Sequence, residues 1–225
     1  MDMETSLHRQ LKEIYAEDGV DAQIEKPLGN YRIDVVRNGE LIEIQHGSLA
    51  AIRSKVASLL KKHRVRVVKP IVARKRLIKQ AGRGGKVVSR RLSPKKGTIL
   101  DLFHELIYFT RIFPHQNLTL EAPLVEVEEW RVPGHGRRRW RRKGDQQVED
   151  QKLVRIERVY DFRTAADFLQ LMPADLPLTF DTGHLAEGLG IDRSDAQRIA
   201  YCLRHIGAFH EVGKRGNARL YRASA

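Results

Sequence analysis

The dipeptide Asn38-Gly39 stands between two β-rich runs, YRIDVV (31–36) and ELIEIQ (40–45). A two-residue loop of this kind needs left-handed backbone at both positions. Asn and Gly tolerate that, so the segment predicts a tight hairpin with a fixed register. Arg37 then faces Glu40, Asp34 faces Glu43 and Arg32 faces Gln45. Side chains alternate along a strand, so Asp34, Glu43 and Gln45 project from one face while Ile42 and Ile44 project from the other. Directly opposed residues have Cβ atoms about 4.5–5.5 Å apart, where like charges destabilise a sheet. Two carboxylates so placed call for a cation. Mg²⁺ (or Mn²⁺) suits, because it takes one or two carboxylates, keeps several waters and accepts phosphate oxygens. The competing reading is a solvent-facing sheet surface whose acids are offset by Arg32 or Arg37.

The flanks extend the pattern. Residues 4–17 read as a helix with Leu7, Leu11, Ile14 and Tyr15 on one face. Val20 to Ile24 reads as a strand, ended by a turn at 27–30. Ser48 to Lys62 reads as a helix and 65–73 as a further strand. In this order, with Asp34 and Glu43-Ile44-Gln45, segment 4–73 resembles the PD-(D/E)XK nuclease superfamily. The resemblance implies an α/β fold with an αβββαβ restriction-endonuclease-like core and Mg²⁺-dependent cleavage of DNA. It makes Asp34 and Glu43 the metal ligands, puts Gln45 in the place of the superfamily's lysine, and offers Glu4 as an assisting acid. Glu4 also reads as a favourable charge in a helix's first turn. The superfamily's proline before the aspartate is absent. Lys55, in the following helix, is either a substitute for the missing charge or a solvated lysine.

Charge points to the same class of partner. The net charge is +13, and between Ile44 and Leu100 there is no Asp or Glu but 17 Lys and Arg. A solubility surface mixes signs, whereas a one-sign block of this length suits a polyanion. Part of it, 74–96, reads as a basic hairpin turning at Gly82–Gly85. No Gly-Lys-Ser/Thr follows, so it is not a phosphate loop. Residues 98–113 read as a helix apolar nearly all round. A second hairpin runs from 118–132, interrupted at Pro123, through the Arg-rich loop 136–144 to 152–162. Trp130 and Trp140 either pack or stack on an unpaired base.

From Arg163 the texture becomes helical and ends in two short apolar runs around Gly213–Asn217. This segment resembles the winged helices of bacterial regulators. The resemblance puts Arg193, Ser194, Gln197 and Arg198 on the outward half of a recognition helix capped by Asp192, and Lys214, Arg215 and Arg219 on the wing. Such modules also serve as protein-interaction units. The expected division is 1–122 nuclease-like, 123–162 a basic β-hairpin extension, and 163–225 a small α+β winged helix. The single cysteine, Cys202, excludes an internal disulfide and fits a reducing cytoplasm. No apolar run reaches membrane-spanning length. The expectation is a metal-dependent endonuclease on double-stranded or branched DNA, with a homodimer allowed. The alternative is a non-catalytic DNA-binding protein that retains a nuclease-like fold.

Overall fold

The computed structural model describes residues 5–17, 21–134 and 146–224; Glu4, Trp140 and the loop 136–144 lie outside them. The fold is mixed α/β. Helix α1 (Ser6–Glu17) leads into three antiparallel strands, β1 (Gln23–Leu28), β2 (Tyr31–Arg37) and β3 (Glu40–Ile44). Asn38 (φ 50°) and Gly39 (φ 73°) both adopt the left-handed turn, and the register is Arg37↔Glu40, Val36↔Leu41, Val35↔Ile42. The expected first strand shifts later, because Gly29 (φ 56°) and Asn30 form the turn and leave Pro27 inside β1. A 3₁₀ turn (Leu49–Ile52), opened by Ser48 Oγ accepting from Ala50 N–H, precedes α2 (Arg53–Leu59). The chain then crosses to β4 (Arg64–Val68), parallel to β3.

The expected strand 65–73 breaks at Lys69-Pro70, between β4 and β5 (Ile71–Gln80). Both halves line one edge of β7 (Leu118–Pro133) at a constant offset, from Val65↔Leu118 to Val72↔Val125. Pro70 is thereby level with Pro123, so two residues without an amide donor share one gap. Pro123 does not interrupt β7, which pairs along its other edge with β8 (Gln146–Phe162) from Leu120 to Pro133. The expected boundary at 122/123 therefore falls inside a continuous strand, and 123–162 extends the main sheet. Strand β6 (Val87–Leu92) pairs with β5 as the basic hairpin predicts.

Helix α1 covers one sheet face, packing Leu7, Leu11 and Tyr15 on Val35, Ile42, Ile44, Val68, Val125 and Val127. The other face carries the larger core. Residues 98–113 supply it, though not as one helix. A Thr98–Asp101 capping box opens a 3₁₀ turn (Ile99–Leu102), followed by a single α turn, α3 (Phe103–Leu106). Aromatic and β-branched residues dominate after that, and the chain continues in turns around buried Phe109 and Phe113.

Residues after 162 add a 3₁₀ helix (Ala166–Leu171), α4 (Thr182–Leu189), α5 (Arg193–His205) and a hairpin of β9 (Phe209–Arg215) and β10 (Ala218–Ala223). Asp181 caps α4 through Gly183 and His184 N–H, while Asp192 holds the N-cap position of α5 without a side-chain bond. These elements share the sheet's core: Phe168, Phe180, Ile199, Cys202 and Leu203 join Phe103, Phe113 and Phe162 in one buried cluster. Phe168 is the junction, with its ring 4.0 Å from Phe162, 5.4 Å from Phe113 and 5.7 Å from Phe103. Among the described residues no helix is long and apolar enough to cross a membrane.

A shared core means shared stability. Phe168→Ala should cost about 3–5 kcal/mol and lower a single unfolding transition followed by tryptophan fluorescence, although Trp130 lies in β7. An unchanged tryptophan transition would show that the two halves unfold separately.

Candidate active site at the β2–β3 fork

The β2–β3 ladder stops at Val35↔Ile42, and beyond it β3 pairs only with β4, through Glu43↔Val67 and Ile44↔Val68. Asp34 and Glu43 thus stand at the mouth of a fork. The β1–β2 ladder also skips this level, between Ile24↔Val35 and Lys26↔Ile33, where Glu25 has φ 58°. A left-handed glutamate in a strand is strained, and such strain concentrates at functional sites.

The two acids have different surroundings. Asp34 Oδ2 accepts the Ile44 N–H (2.8 Å), and Oδ1 lies 3.2 Å from His8 Nε2 on α1. Burial alone would raise its pKa, but these hydrogen bonds outweigh it and hold the carboxylate below its usual range. Glu43 is 4% exposed. Its Oε2 accepts from Lys55 Nζ at 2.6 Å, and Lys55 also donates to Arg32 O at 2.5 Å. Its Oε1 is buried without a partner. Loss of water pushes Glu43 up to about 7, against the hydrogen bond and charge of Lys55.

Lys55 is therefore no solvated lysine; it stands against the acid. Gln45 is half-buried and donates its amide to Ser48 O at 3.0 Å. His8 was not singled out in the sequence, although it lies in the first turn of α1. Nor was Lys69, 6% exposed, whose ammonium holds the loop after β3 through His46 O (2.8 Å) and Gly47 O (2.5 Å). Among the described residues no group of three or more His, Cys, Asp and Glu is arranged to hold a metal. The Asp34–Glu43 pair is the candidate instead.

The second surface lies on α5. Arg193, Ser194 and Gln197 are exposed as expected. Arg198 is half-buried: its guanidinium bonds Asp195 and approaches His104 Nε2 of α3 at 3.4 Å. The exposed row continues instead through Tyr201 to the half-buried Arg204, four and seven residues beyond Gln197. Helical spacing alone could have found both. On the hairpin Lys214 is exposed, Arg219 bonds Glu211 (3.1 Å), and Arg215 is tied to Asp181 Oδ2 (2.7 Å), fastening the hairpin to the cap of α4. Trp130 is half-buried under the Lys152 ammonium, 4.6 Å from its ring centre.

These features define a mixed α/β protein with an acid pair at a sheet fork and a basic helix–hairpin surface. Its sequence belongs to the family described as Domain of unknown function (DUF8091), matched over residues 5–163. That match runs from the start of α1 to the end of β8. The chain is also similar to an uncharacterized protein of Treponema pallidum (strain Nichols), 30% identical over 222 residues, covering 97% of this chain and 85% of that protein. No solved structure matches.

The shifted glutamate has a measurable consequence. Glu43 holds its proton more tightly folded than unfolded, so its contribution to stability is complete below pH 4.5 and is lost as pH rises through about 7. Over that window wild type should lose up to about 3 kcal/mol relative to Glu43→Gln. Urea midpoints of both proteins from pH 4.5 to 8 read this directly, and parallel curves would mean an ordinary carboxyl.

Proposed function

We propose that this chain is a metal-dependent DNA endonuclease of the PD-(D/E)XK type, positioned on DNA by a C-terminal winged helix. The observation that carries the reading is Glu43: buried at the fork, with one oxygen unpartnered and its charge disfavoured until a cation arrives. The element order α1-β1-β2-β3-α2-β4, with β3 and β4 parallel, supports the αβββαβ assignment. Helices α4 and α5, the β9–β10 hairpin and the Phe180↔Tyr221 bridge support the winged helix.

Asp34 and Glu43 would hold Mg²⁺ or Mn²⁺. Their hard oxygens and the free Glu43 Oε1 fit an ion that needs few carboxylates and retains waters. Bound there, the ion would supply an activated water and charge stabilisation for phosphodiester hydrolysis. The chain's own groups prepare the place. Ile44 N–H and His8 orient Asp34, and Lys55 sets a positive charge beside Glu43 where phosphate charge develops. Gln45, bonded to Ser48, fixes the start of the following loop rather than replacing the superfamily's lysine.

One feature favours the alternative, a non-catalytic DNA-binding protein. Asp34 has both oxygens engaged and Glu43 already bonds Lys55, so each acid has a partner within the protein.

Plasmid and branched DNA incubated with Mg²⁺, Mn²⁺ or EDTA decides between them. Cleavage should require metal and vanish in Asp34→Ala and Glu43→Ala, with DNA affinity nearly intact. Lys55→Met should lower the rate by about 100-fold, and Gln45→Ala by far less. Full activity in purified Glu43→Ala would sink the site, and wild-type inertness with every metal would leave the binding protein. Lys214→Ala should reduce the log–log salt slope of duplex binding by about 0.9, whereas Arg198→Ala should leave it unchanged.

A further inference from the structure

Between α5 and β10 lies a cleft of 590 Å³. Arg193, Gln197, Tyr201 and Arg204 form its floor, and Arg219 stands on the opposite wall. Among the described residues no acidic side chain lines it, although Glu211 touches Arg219 from outside. Its least expected member is Tyr201. The residue is 42% exposed, while its neighbours Ala200 and Cys202 are completely buried. His205 supports it, with ring centres 3.8 Å apart and planes 32° apart. A surface tyrosine backed on one face and flanked by arginines presents its other face for stacking.

We propose that this cleft binds a single-stranded segment of DNA, its phosphates on Arg193, Arg204 and Arg219 and one unpaired base on Tyr201. A helix that reads a duplex must protrude into a major groove about 12 Å wide. Here the exposed row of α5 lines a concavity together with residues of β10. Within a duplex both faces of each base are covered by stacking, and an aromatic ring on that floor would have nothing to meet. A strand with splayed bases supplies both the phosphates and the π-faces. The inference rests on the proposed DNA partner and narrows it to DNA with an unpaired stretch, such as a fork or branch.

The test is anisotropy in EDTA, so that no cleavage is involved, with a 20-nucleotide single strand, a blunt duplex and a forked duplex as probes. Fork and single strand should bind about tenfold or more tightly than blunt duplex. Tyr201→Ala should lower fork and single-strand affinity by about tenfold and leave duplex binding unchanged, and Tyr201→Phe should restore it. Arg204→Ala should reduce the single-strand salt slope by about 0.7. Circular dichroism of each variant guards against misfolding, which is not expected at an exposed ring. Equal binding of all three probes, or a Tyr201→Ala protein that keeps its fork preference, overturns the proposal. A protein that never cleaves but shows the Tyr201-dependent preference keeps this inference and loses the nuclease. One that cleaves yet ignores Tyr201 does the reverse.

Discussion

Strand β7 is hydrogen-bonded along both edges, and charge as well as backbone decides which strands flank it. The basic block contains no acid of its own, so its strands need a neighbour that does. β7 is that neighbour: Arg74 pairs with Glu126, Arg76 with Glu128 and Lys75 with the buried Glu129, which Arg131 and Gln151 also bond. Lower in the sheet, Arg66 of β4 joins Glu40, Glu121 and Asp161 on three different strands. On its other edge β5 meets β6, which is as basic as itself. There the register sets Ile78 opposite Arg90, Leu77 opposite Arg91 and Lys79 opposite Ser89, so no like charges face each other directly. Much of the one-sign block is therefore neutralised within the sheet. Among the described residues the exposed Lys86, Arg90, Arg91, Lys95 and Lys96 stand outside any ion pair, and they carry what remains of the block's charge on the surface.

Local chemistry was legible and nonlocal pairing was not. Asn38-Gly39 set the β2–β3 register because a two-residue turn leaves no alternative, and the period of Leu7, Leu11 and Tyr15 set the buried face of α1. The double pairing of β7 had no local sign. Pro123 reads as an interruption until Pro70 is known to lie level with it. The boundary at 162 follows the change from strand-like to helical texture, but composition does not reveal that Phe168 packs against both Phe103 and Phe113. At the site, the register that sets Asp34 opposite Glu43 ends one pair short of them, while His8 and Lys55 depended on where α1 and α2 dock. Tyr201 and Arg204 lay within reach of helical arithmetic. Both lie beyond the N-terminal half of α5, the half that helix-turn-helix docking places in the major groove.

The fork treats two similar carboxyls unequally. Asp34, given a backbone donor and a histidine, stays ionised at neutral pH; Glu43, denied water and left with one bare oxygen, is shifted toward neutral pH itself. On the proposed reading, a cation at the fork would favour the ionised form of Glu43 and displace a proton. Binding of such an ion would weaken as pH falls below about 7, and Asp34 would contribute little to that dependence.

Helix α3 ties the two candidate surfaces together, although it is only four residues long. Phe103 O accepts a contact from Cys202 Sγ at 3.8 Å, and His104 lies 3.6 Å from Asp195, so two successive residues grip α5. The next residue, Glu105, accepts the Leu49 N–H at 2.9 Å and holds the loop that follows Glu43-Ile44-Gln45. Lys69 anchors the same loop from the β4–β5 gap. The path from the α5 cleft to the acid pair thus runs through packed side chains and hydrogen bonds, with no tether along it. A flexible linker would let a DNA strand held in the cleft sample many distances from the fork. A packed shoulder fixes that distance. The spacing between the α5 cleft and the acid pair is thus set by packing against α3.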